Sequence, residues 1–170
     1  MDIATDEATR LEVRRHYKAG VAAVYAACTD PEQMKFWMAP TDAVRDSEVE
    51  LDVRVGGRYR IVMYAPNGET HRVAGEFREV VPPHRLVYTF GWAPSADGRL
   101  DLVPPGSSTI EIELVPSDDG TTLRFSHRDL PTSEWAASHA HGWDHYLARL
   151  AIAAAGGDAG RDPWLDRPMS

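Results

Sequence analysis

The amino-acid sequence predicts an α+β fold, in which a curved antiparallel sheet of about seven strands wraps on a long C-terminal helix with an internal cavity between them. Two observations predict it. Six segments with period-two apolar alternation follow one another between residues 48 and 128, and a long segment with a helical apolar stripe comes after them. A first strand and two short helices precede this run, so the element order is β-α-α-β6-α. A run of strands with helices only before and after it is typical of α+β proteins. In α/β proteins, strands and helices alternate along the chain.

Length, composition and charge limit the class of protein. The 170 residues are 43% hydrophobic and 26% charged, which is typical of one globular domain. We place that domain at residues 11–155 and expect flexible or extended tails at 1–10 and 156–170. No apolar run approaches the roughly 18 residues of a membrane span. The formal net charge of −8 argues against a nucleic-acid partner, because the acidic surplus repels phosphate.

Cysteine usage and the N-terminal residues indicate a cellular compartment. Cys28 is the only cysteine, so an intrachain disulfide is excluded, and its apolar helical setting predicts a buried structural thiol. The acidic start of the chain lacks the basic and apolar blocks of a secretory signal. We therefore expect a cytoplasmic protein.

The first strand is predicted at residues 11–17, where Leu11, Val13 and Tyr17 share one parity. Arg15 shares this apolar parity. Because buried charges are normally paired, we expect Arg15 to form a structural ion pair in preference to a ligand contact, with a local strand bulge as the other alternative.

Two short helices are predicted after the first strand. The first covers residues 21–28. The second begins with Asp30 as N-cap and Pro31 in the first helical position, and Pro40 ends it. Apolar residues of these helices, Trp37 among them, must pack under the edge of the sheet or line the mouth of the cavity.

The other six strands are predicted from alternating apolar residues with turn residues between them. The second strand is expected to continue through Val55 to a turn at Gly56-Gly57. Pro66-Asn67-Gly68 is a hairpin signal, because Asn-Gly accepts positive φ at both central positions. The inward-facing residues predicted on the six strands are Val49, Leu51, Val53, Val55; Tyr59, Ile61, Met63; Val73, Gly75, Phe77; Leu86, Tyr88, Phe90, Trp92; Ile110, Ile112, Leu114; and Leu123, Phe125, His127.

Residues 93–108 connect two of these strands and are rich in Pro, Gly, Asp and Ser. Connections of this length inside a compact domain are often functional, so a mobile lid over the cavity is one interpretation. A solvated excursion without a role is the other. The sequence leaves both open.

The last helix is predicted at residues 134–155. Its inner stripe is formed by Trp143, Leu147, Leu150 and Ala154, and His139 precedes Trp143 by one turn. His141 and His145 have the i, i+4 spacing of zinc-binding helices, but they lie about 200° from Trp143 and therefore face solvent. We expect neither a metal site nor another cofactor.

Several phrases stand in a characteristic order between residues 11 and 155. They are Thr29-Asp30-Pro31-Glu32 with Phe36-Trp37 and Pro40, Val55-Gly56-Gly57-Arg58-Tyr59, Gly75-Glu76-Phe77-Arg78-Glu79-Val80, Pro82-Pro83-His84-Arg85-Leu86 and Gly142-Trp143. In this order the chain resembles the START-like (SRPBCC) superfamily, and within it the bacterial branch similar to the C-terminal domain of the activator of the heat-shock-protein-ninety ATPase. The resemblance implies the helix-grip fold with an internal cavity. It implies no single function, because this fold serves many unrelated ligands.

Three inward polar side chains are candidates for catalysis. His127 could act as general acid or base, since the ordinary pKa of imidazole lies near neutrality, or be a hydrogen-bonded residue of the cavity wall. Glu79 shares the parity of Phe77 and could be a catalytic acid, a partner of Arg15 or a residue of the rim. The hydroxyl of Tyr88 is the third candidate.

Aromatic inner faces with a few polar tips are typical of sites for flat lipophilic ligands. We therefore expect a carrier, sensor or sequestering protein for a small hydrophobic or aromatic molecule, more readily than an enzyme. The first alternative is a cyclase, dehydratase or hydrolase of the polyketide-processing kind, and a chaperone-ATPase co-factor is the second. A homodimer is left open. The predicted ligand-binding residues are Trp37, Tyr59, Met63, Phe77, Tyr88, Phe90, Trp92, Phe125, His127, His139, Trp143 and Leu147.

Overall fold

One antiparallel sheet holds all seven strands of the computed structural model, which describes residues 9–38, 48–64, 70–93 and 103–156. The strand order across the sheet is β1-β7-β6-β5-β4-β3-β2, so β1 and β2 form its two edges. The predicted α+β helix-grip fold is confirmed. The strands and helices of the described residues are β1 Leu11–Tyr17, α1 Val21–Thr29, α2 Pro31–Trp37, β2 Glu48–Leu51, β3 Arg58–Tyr64, β4 Thr70–Val81, β5 Arg85–Trp92, β6 Ser108–Ser117, β7 Gly120–Arg128 and α3 Ser133–Ala154.

Helix α3 packs its apolar stripe against the inner face of the sheet. The predicted stripe is confirmed, since Trp143, Leu147, Leu150 and Ala154 are all buried. The hydroxyl of Tyr17 on β1 donates a hydrogen bond to the carbonyl of Leu147 at 2.8 Å, which fixes the helix to the edge strand. The threonine before the helix caps its first turn, because Thr132 Oγ1 accepts from the Trp135 N–H at 3.2 Å.

Arg15 of β1 forms an ion pair with Asp144 of α3 and also donates to the Asp144 carbonyl at 3.0 Å. The predicted structural ion pair is confirmed. The pairing of β1 with β7 runs without a register shift, so the alternative of a bulge is wrong. The ion pair joins the edge strand to the helix at the rim of the interior, where the Asp144 side chain stays exposed.

Helices α1 and α2 contact each other and α3. Asp30 caps α2 as predicted, since its Oδ1 accepts from the Glu32 N–H at 3.0 Å, and Pro31 occupies the first turn. The indole of Trp37 donates to the Ala27 carbonyl at 2.9 Å and so ties the two helices together. Cys28 is buried in α1, as predicted, and burial raises the pKa of its thiol to about 12.

The predicted extension of the second strand to Val55 is wrong. Strand β2 ends at Leu51, and Val55 is 68% exposed. Backbone hydrogen bonds from Arg54 to Asp52 and from Gly57 to Arg54 close a tight turn, and Gly56 takes a φ of +84°. These local bonds turn the chain before the period-two pattern is complete.

The inward orientation predicted for Glu79 is also wrong. Phe77 pairs with Tyr88 and Glu79 pairs with the adjacent Val87, so β4 carries one extra residue at this point. A bulge of this kind reverses the parity of every residue beyond it. The Glu79 side chain is therefore exposed on the outer face, where its Oε2 accepts from Arg85 Nε at 2.6 Å.

Several predictions fall outside the described residues. They concern the stop at Pro40, the Asn67-Gly68 hairpin, most of the tails, and residues 94–102 of the long connection. The end of that connection is described, and Val103 is completely buried there with its carbonyl accepting from the Trp92 N–H at 2.6 Å. Among the described helices, none is long and apolar enough to cross a membrane.

Candidate functional site

Most of the predicted ligand-binding residues lie between α3 and the inner face of the sheet, whereas Trp37 lies on α2 and donates to the Ala27 carbonyl. Ten of the twelve are buried, and Trp92 and His139 are half-buried. Their rings form two groups. The first, which we call the histidine cluster, contains Phe90, Trp92, Phe125, His127, His139 and Trp143 together with Ser108 and Trp135. The second, which we call the tyrosine cluster, contains Tyr59, Phe77 and Tyr88.

Trp143 lies at the centre of the histidine cluster. Its ring centroid is 4.6 Å from that of Phe125 and 5.7 Å from that of Phe90, so α3 is packed onto β7 and β5 through one indole. Trp143 is only 4% exposed. An aromatic residue enclosed in this way contributes strongly to the core, because it buries a large apolar area.

His127 of β7 is completely buried and hydrogen-bonded through both of its ring nitrogens. The indole N–H of Trp143 donates to its Nδ1 at 3.2 Å, and its Nε2 lies 2.8 Å from the hydroxyl of Ser108. The same hydroxyl donates to the carbonyl of Phe90 at 2.6 Å. A chain of three hydrogen bonds thus runs from α3 through β7 and β6 to β5.

This geometry determines the protonation of His127. An indole N–H can only donate, so Nδ1 accepts and the ring proton is on Nε2, from which it is donated to Ser108. The Ser108 proton goes to the Phe90 carbonyl. Every donor and acceptor in the chain is used, and the neutral imidazole keeps no free lone pair for removing a proton from a bound molecule.

His139 of α3 is held in the opposite tautomer. Its Nδ1 lies 2.9 Å from the carbonyl of Trp135, one turn earlier in the helix, and its Nε2 accepts from the indole of Trp92 at 3.2 Å. A carbonyl can only accept, so the proton is on Nδ1. Both nitrogens of the second histidine are therefore also engaged.

Both imidazoles are held in the neutral form. Burial lowers the pKa of His127 to about 3, with a smaller contribution from His139, whose ring centroid is 5.4 Å away. Burial also lowers the pKa of His139, although its hydrogen bond to Trp135 opposes the shift. Desolvation and the nearness of a second imidazole both disfavour the charged ring.

The tyrosine cluster lies on the inner faces of β3, β4 and β5. The ring of Tyr88 is 5.3 Å from Tyr59 and 5.6 Å from Phe77, centroid to centroid, in edge-on arrangements. Gly75 stands opposite Tyr59, and a Cβ there would lie 2.7 Å from the Tyr59 ring and 2.0 Å from the Thr89 carbonyl. The glycine makes room for Tyr59, whose hydroxyl donates to that same carbonyl at 2.7 Å.

Tyr88 differs from the other buried tyrosines of the described chain. The hydroxyls of Tyr17 and Tyr59 donate to backbone carbonyls, whereas the Tyr88 hydroxyl forms no hydrogen bond with a described residue, although Tyr88 is only 8% exposed. Burial raises its pKa above the ordinary value, and the thiol of Cys28 raises it further.

The remaining candidates lie away from this surface. Glu79 contacts neither Arg15 nor the interior, since it belongs to the ionic network of Arg85 on the outer face. His141 is exposed, and His145 is half-buried with its ring 5.1 Å from that of Tyr146. In the described parts of the chain, no three His, Cys, Asp or Glu side chains are placed to hold a metal ion.

Ser108 and Trp135 are the site residues that sequence reasoning missed. Ser108 was assigned to the long connection, yet it is the first residue of β6 and pairs with Phe90. Its polar side chain gives no sign of inward orientation, because the apolar alternation begins only at Ile110. Trp135 lies one turn before His139, and that spacing is the signal that could have identified it.

The fold and the site define a helix-grip domain with an aromatic interior. The family model described as "Activator of Hsp90 ATPase homolog 1-like protein" matches residues 18–155, and the chain belongs to this family. The predicted resemblance is thereby confirmed. A search of curated proteins finds no match to the sequence.

Solved bacterial structures share the fold over nearly their whole length. A protein from Rhodobacter sphaeroides is 26% identical, with a TM-score of 0.66 over 88% of this chain and 93% of that one. A protein from Chromobacterium violaceum is 25% identical, with a TM-score of 0.69 over 84% and 95%. The AHSA1 protein from Silicibacter pomeroyi is also 25% identical, with a TM-score of 0.67 over 86% and 97%.

Proposed function

We propose that the protein binds a small hydrophobic or aromatic molecule between α3 and the sheet, as a carrier, sensor or sequestering protein. The inner surface is almost entirely aromatic and aliphatic, and it carries a small number of polar atoms. Sites that recognise lipophilic molecules have this composition. The same proposal places the protein in the cytoplasm, where Cys28 remains a thiol.

The observation that supports binding over catalysis is the complete hydrogen bonding of the two inner histidines. Neither nitrogen of His127 is free, and the same holds for His139. A general base needs a free lone pair within hydrogen-bond reach of the proton that it removes. These residues therefore form a rigid polar support behind the binding surface.

The enzyme alternative depends on few groups. Glu79 lies on the outer face, and His127 is engaged at both nitrogens, so a cyclase, dehydratase or hydrolase would depend on the Tyr88 hydroxyl alone among the three candidates. No described contact favours that chemistry specifically. None favours a chaperone-ATPase co-factor either.

Native mass spectrometry of the protein purified without detergent, followed by extraction and small-molecule analysis, tests the proposal directly. We expect a bound compound of low polarity. In parallel, N-phenyl-1-naphthylamine, a neutral dye that fluoresces in apolar surroundings, should bind saturably and receive energy from the buried tryptophans.

A matched control separates interior from surface binding of the dye. Val81 and Ile152 are 49% and 44% exposed, so the double variant Val81→Ser, Ile152→Ser removes apolar surface without touching the interior. Dye affinity should be unchanged in this variant. A dye signal that rises without saturation, together with no copurifying compound, would contradict the proposed function.

A further inference from the structure

An open groove of about 400 Å³ crosses the outer face of the sheet over the adjacent strands β1, β7 and β6. The strand register explains its position. Ser126 of β7 pairs with Glu12 of β1 on one side and with Glu111 of β6 on the other, so a short side chain lies between two long ones. Ser126 is only 8% exposed. The volume of the groove is within the range of small-molecule sites, roughly 300–1,000 Å³.

Two arginines lie side by side in the next row of the groove. Arg14 of β1 is paired in the register with Arg124 of β7. Arg14 is exposed and forms no ion pair with a described residue, and Arg124 reaches only Glu113, at 3.7 Å. Like charges directly opposite each other on neighbouring strands destabilise a sheet. An anion bound between the two guanidinium groups would relieve this repulsion.

The glutamates that line the groove are engaged by other arginines. Glu12 and Glu111 form ion pairs with arginines outside this row, and Glu113 accepts from Arg85 at 2.7 Å. A shortage of carboxylates does not explain the weakly paired arginines, because the chain has 26 acidic and 18 basic residues. The positive charge of the arginine pair is therefore available to a bound group.

The Ser126 hydroxyl adds a third donor beside the arginine pair. Ser126 lies two residues after Arg124 on the same strand, so both side chains project from the same face. It lines the groove and forms no hydrogen bond with a described residue. A guanidinium group binds carboxylate and phosphate oxygens through parallel N–H donors, and a hydroxyl can donate to the same oxygens.

We propose that this groove binds the carboxylate or phosphate group of a small organic anion between Arg14 and Arg124, with the Ser126 hydroxyl as a further donor. The glutamates around the groove repel additional negative charge, so the site selects ligands with a single anionic group. The site lies on the opposite face of the sheet from the interior. It does not depend on the proposed function.

Three small probes test the inference. Benzoate and phenyl phosphate carry the two anionic groups, and benzyl alcohol is a neutral analogue of similar size. Each would be titrated into the ¹⁵N-labelled protein, and the affinity would be taken from the shifts of backbone amide and arginine Nε–H signals. The same spectra show whether each variant is folded.

Arg14→Gln combined with Arg124→Gln removes both charges, and Arg78→Gln is the matched control. Arg78 is also an exposed arginine of the sheet, and its distance to the nearest carboxylate partner, Glu76, is 3.9 Å. Arg14→Gln alone is a second test, because this side chain has no ion pair to lose.

We expect at least one of the two anions to shift the signals of Arg14, Arg124 and Ser126 saturably, and benzyl alcohol to leave them in place. The double variant should bind that anion about tenfold more weakly or worse, and Arg14→Gln alone about fivefold more weakly. The control should stay within about twofold of the wild type. The anion that binds more tightly identifies the ligand as a carboxylate or a phosphate compound.

Two results would overturn the inference. One is that neither anion shifts the Arg14 and Arg124 signals saturably in the folded wild type. The other is that Arg78→Gln weakens binding as much as the double variant, which would indicate unspecific attraction to exposed charge. Shifts confined to the indole N–H of Trp143 would place the probe in the interior, so the proposed function would be supported while the groove would be excluded as the site.

Discussion

The histidine cluster and the tyrosine cluster share one interior but treat their polar atoms in opposite ways. In the first, two indoles, two imidazoles and a serine hydroxyl pair with one another and with backbone carbonyls. In the second, the Tyr59 hydroxyl donates to the Thr89 carbonyl, whereas the Tyr88 hydroxyl forms no hydrogen bond with a described residue. Polar groups that are fully paired stabilise and orient a core, whereas a hydroxyl that forms no internal hydrogen bond contributes little to stability.

This difference assigns separate roles to the two clusters. Changes in the histidine cluster should alter the free energy of unfolding, because they break an internal network. Changes at the Tyr88 hydroxyl should leave that free energy nearly unchanged and act on ligand affinity instead. The comparison therefore yields stability predictions of decreasing size.

Trp143→Ala should have the largest effect. The substitution empties a buried ring site between α3 and the sheet and leaves Nδ1 of His127 without its donor. We expect a loss of about 3–5 kcal/mol in the free energy of unfolding, measured by urea denaturation. An unchanged unfolding midpoint would show that the histidine cluster does not stabilise the fold.

Trp143→Phe is the matched control for this variant. It keeps most of the ring packing and removes the indole N–H, so it should cost about 1–2 kcal/mol. The difference between the two variants separates packing from hydrogen bonding at the same position. Equal losses would mean that the hydrogen bond to His127 carries the whole effect.

The sequence predicts which residues of the two clusters face the interior, but it does not predict the hydrogen bonds that they form. Period-two and period-3.6 patterns place Trp143, His127 and Tyr88 on the inner face, because burial controls which residue types alternate. Glu79 was misplaced because a single extra residue in β4 reverses the parity, and no residue type marks the bulge. The hydrogen bond between Ser108 and His127 joins residues 19 positions apart. Such a contact follows from strand register, which the local pattern does not contain.

Acid should destabilise the protein through His127. Its folded pKa of about 3 lies below the ordinary 6.5, so between these values the unfolded state binds more protons and stability rises with pH. The contribution is complete above pH 6.5 and decreases as the pH falls, by about 1.4 kcal/mol per unit. We expect His127 to account for about 2–2.5 kcal/mol of lost stability between pH 6.5 and pH 4.5.

His127→Gln isolates this contribution from that of the carboxylates. The glutamine amide can accept from Trp143 and donate to Ser108, but it does not titrate. Denaturation of the variant and the wild type at several pH values gives the difference in free energy of unfolding. As the pH falls below 6.5, the free energy of unfolding should decrease less in the variant than in the wild type. Parallel curves of this free energy against pH would show that His127 titrates normally in the folded protein.

Ser108→Ala should cost about 2 kcal/mol, because it leaves the Nε2 proton of His127 without its acceptor and removes the side-chain donor to the carbonyl of Phe90. Ser107→Ala is the control on the neighbouring exposed residue, where a change within about 0.5 kcal/mol is expected. Thermal and urea unfolding measure both. Equal stability of the two variants would mean that water replaces the serine hydroxyl without loss.

The smallest effects lie in the tyrosine cluster, and they decide whether the comparison holds. Tyr59→Phe leaves the Thr89 carbonyl without its donor and should cost about 1 kcal/mol. Tyr88→Phe removes a hydroxyl that has no described partner, so the free energy of unfolding should stay within about 0.5 kcal/mol or rise. Both variants would be measured after refolding from denaturant, which removes copurified compounds.

If Tyr88→Phe cost as much as Tyr59→Phe, the Tyr88 hydroxyl would already be paired in the ligand-free protein, and the two clusters would not differ in the way described. If only Tyr59→Phe is destabilised, the Tyr88 hydroxyl does not contribute to the stability of the ligand-free protein. Phenylalanine has the shape of tyrosine without the hydroxyl, so Tyr88→Phe would then be expected to act on ligand affinity.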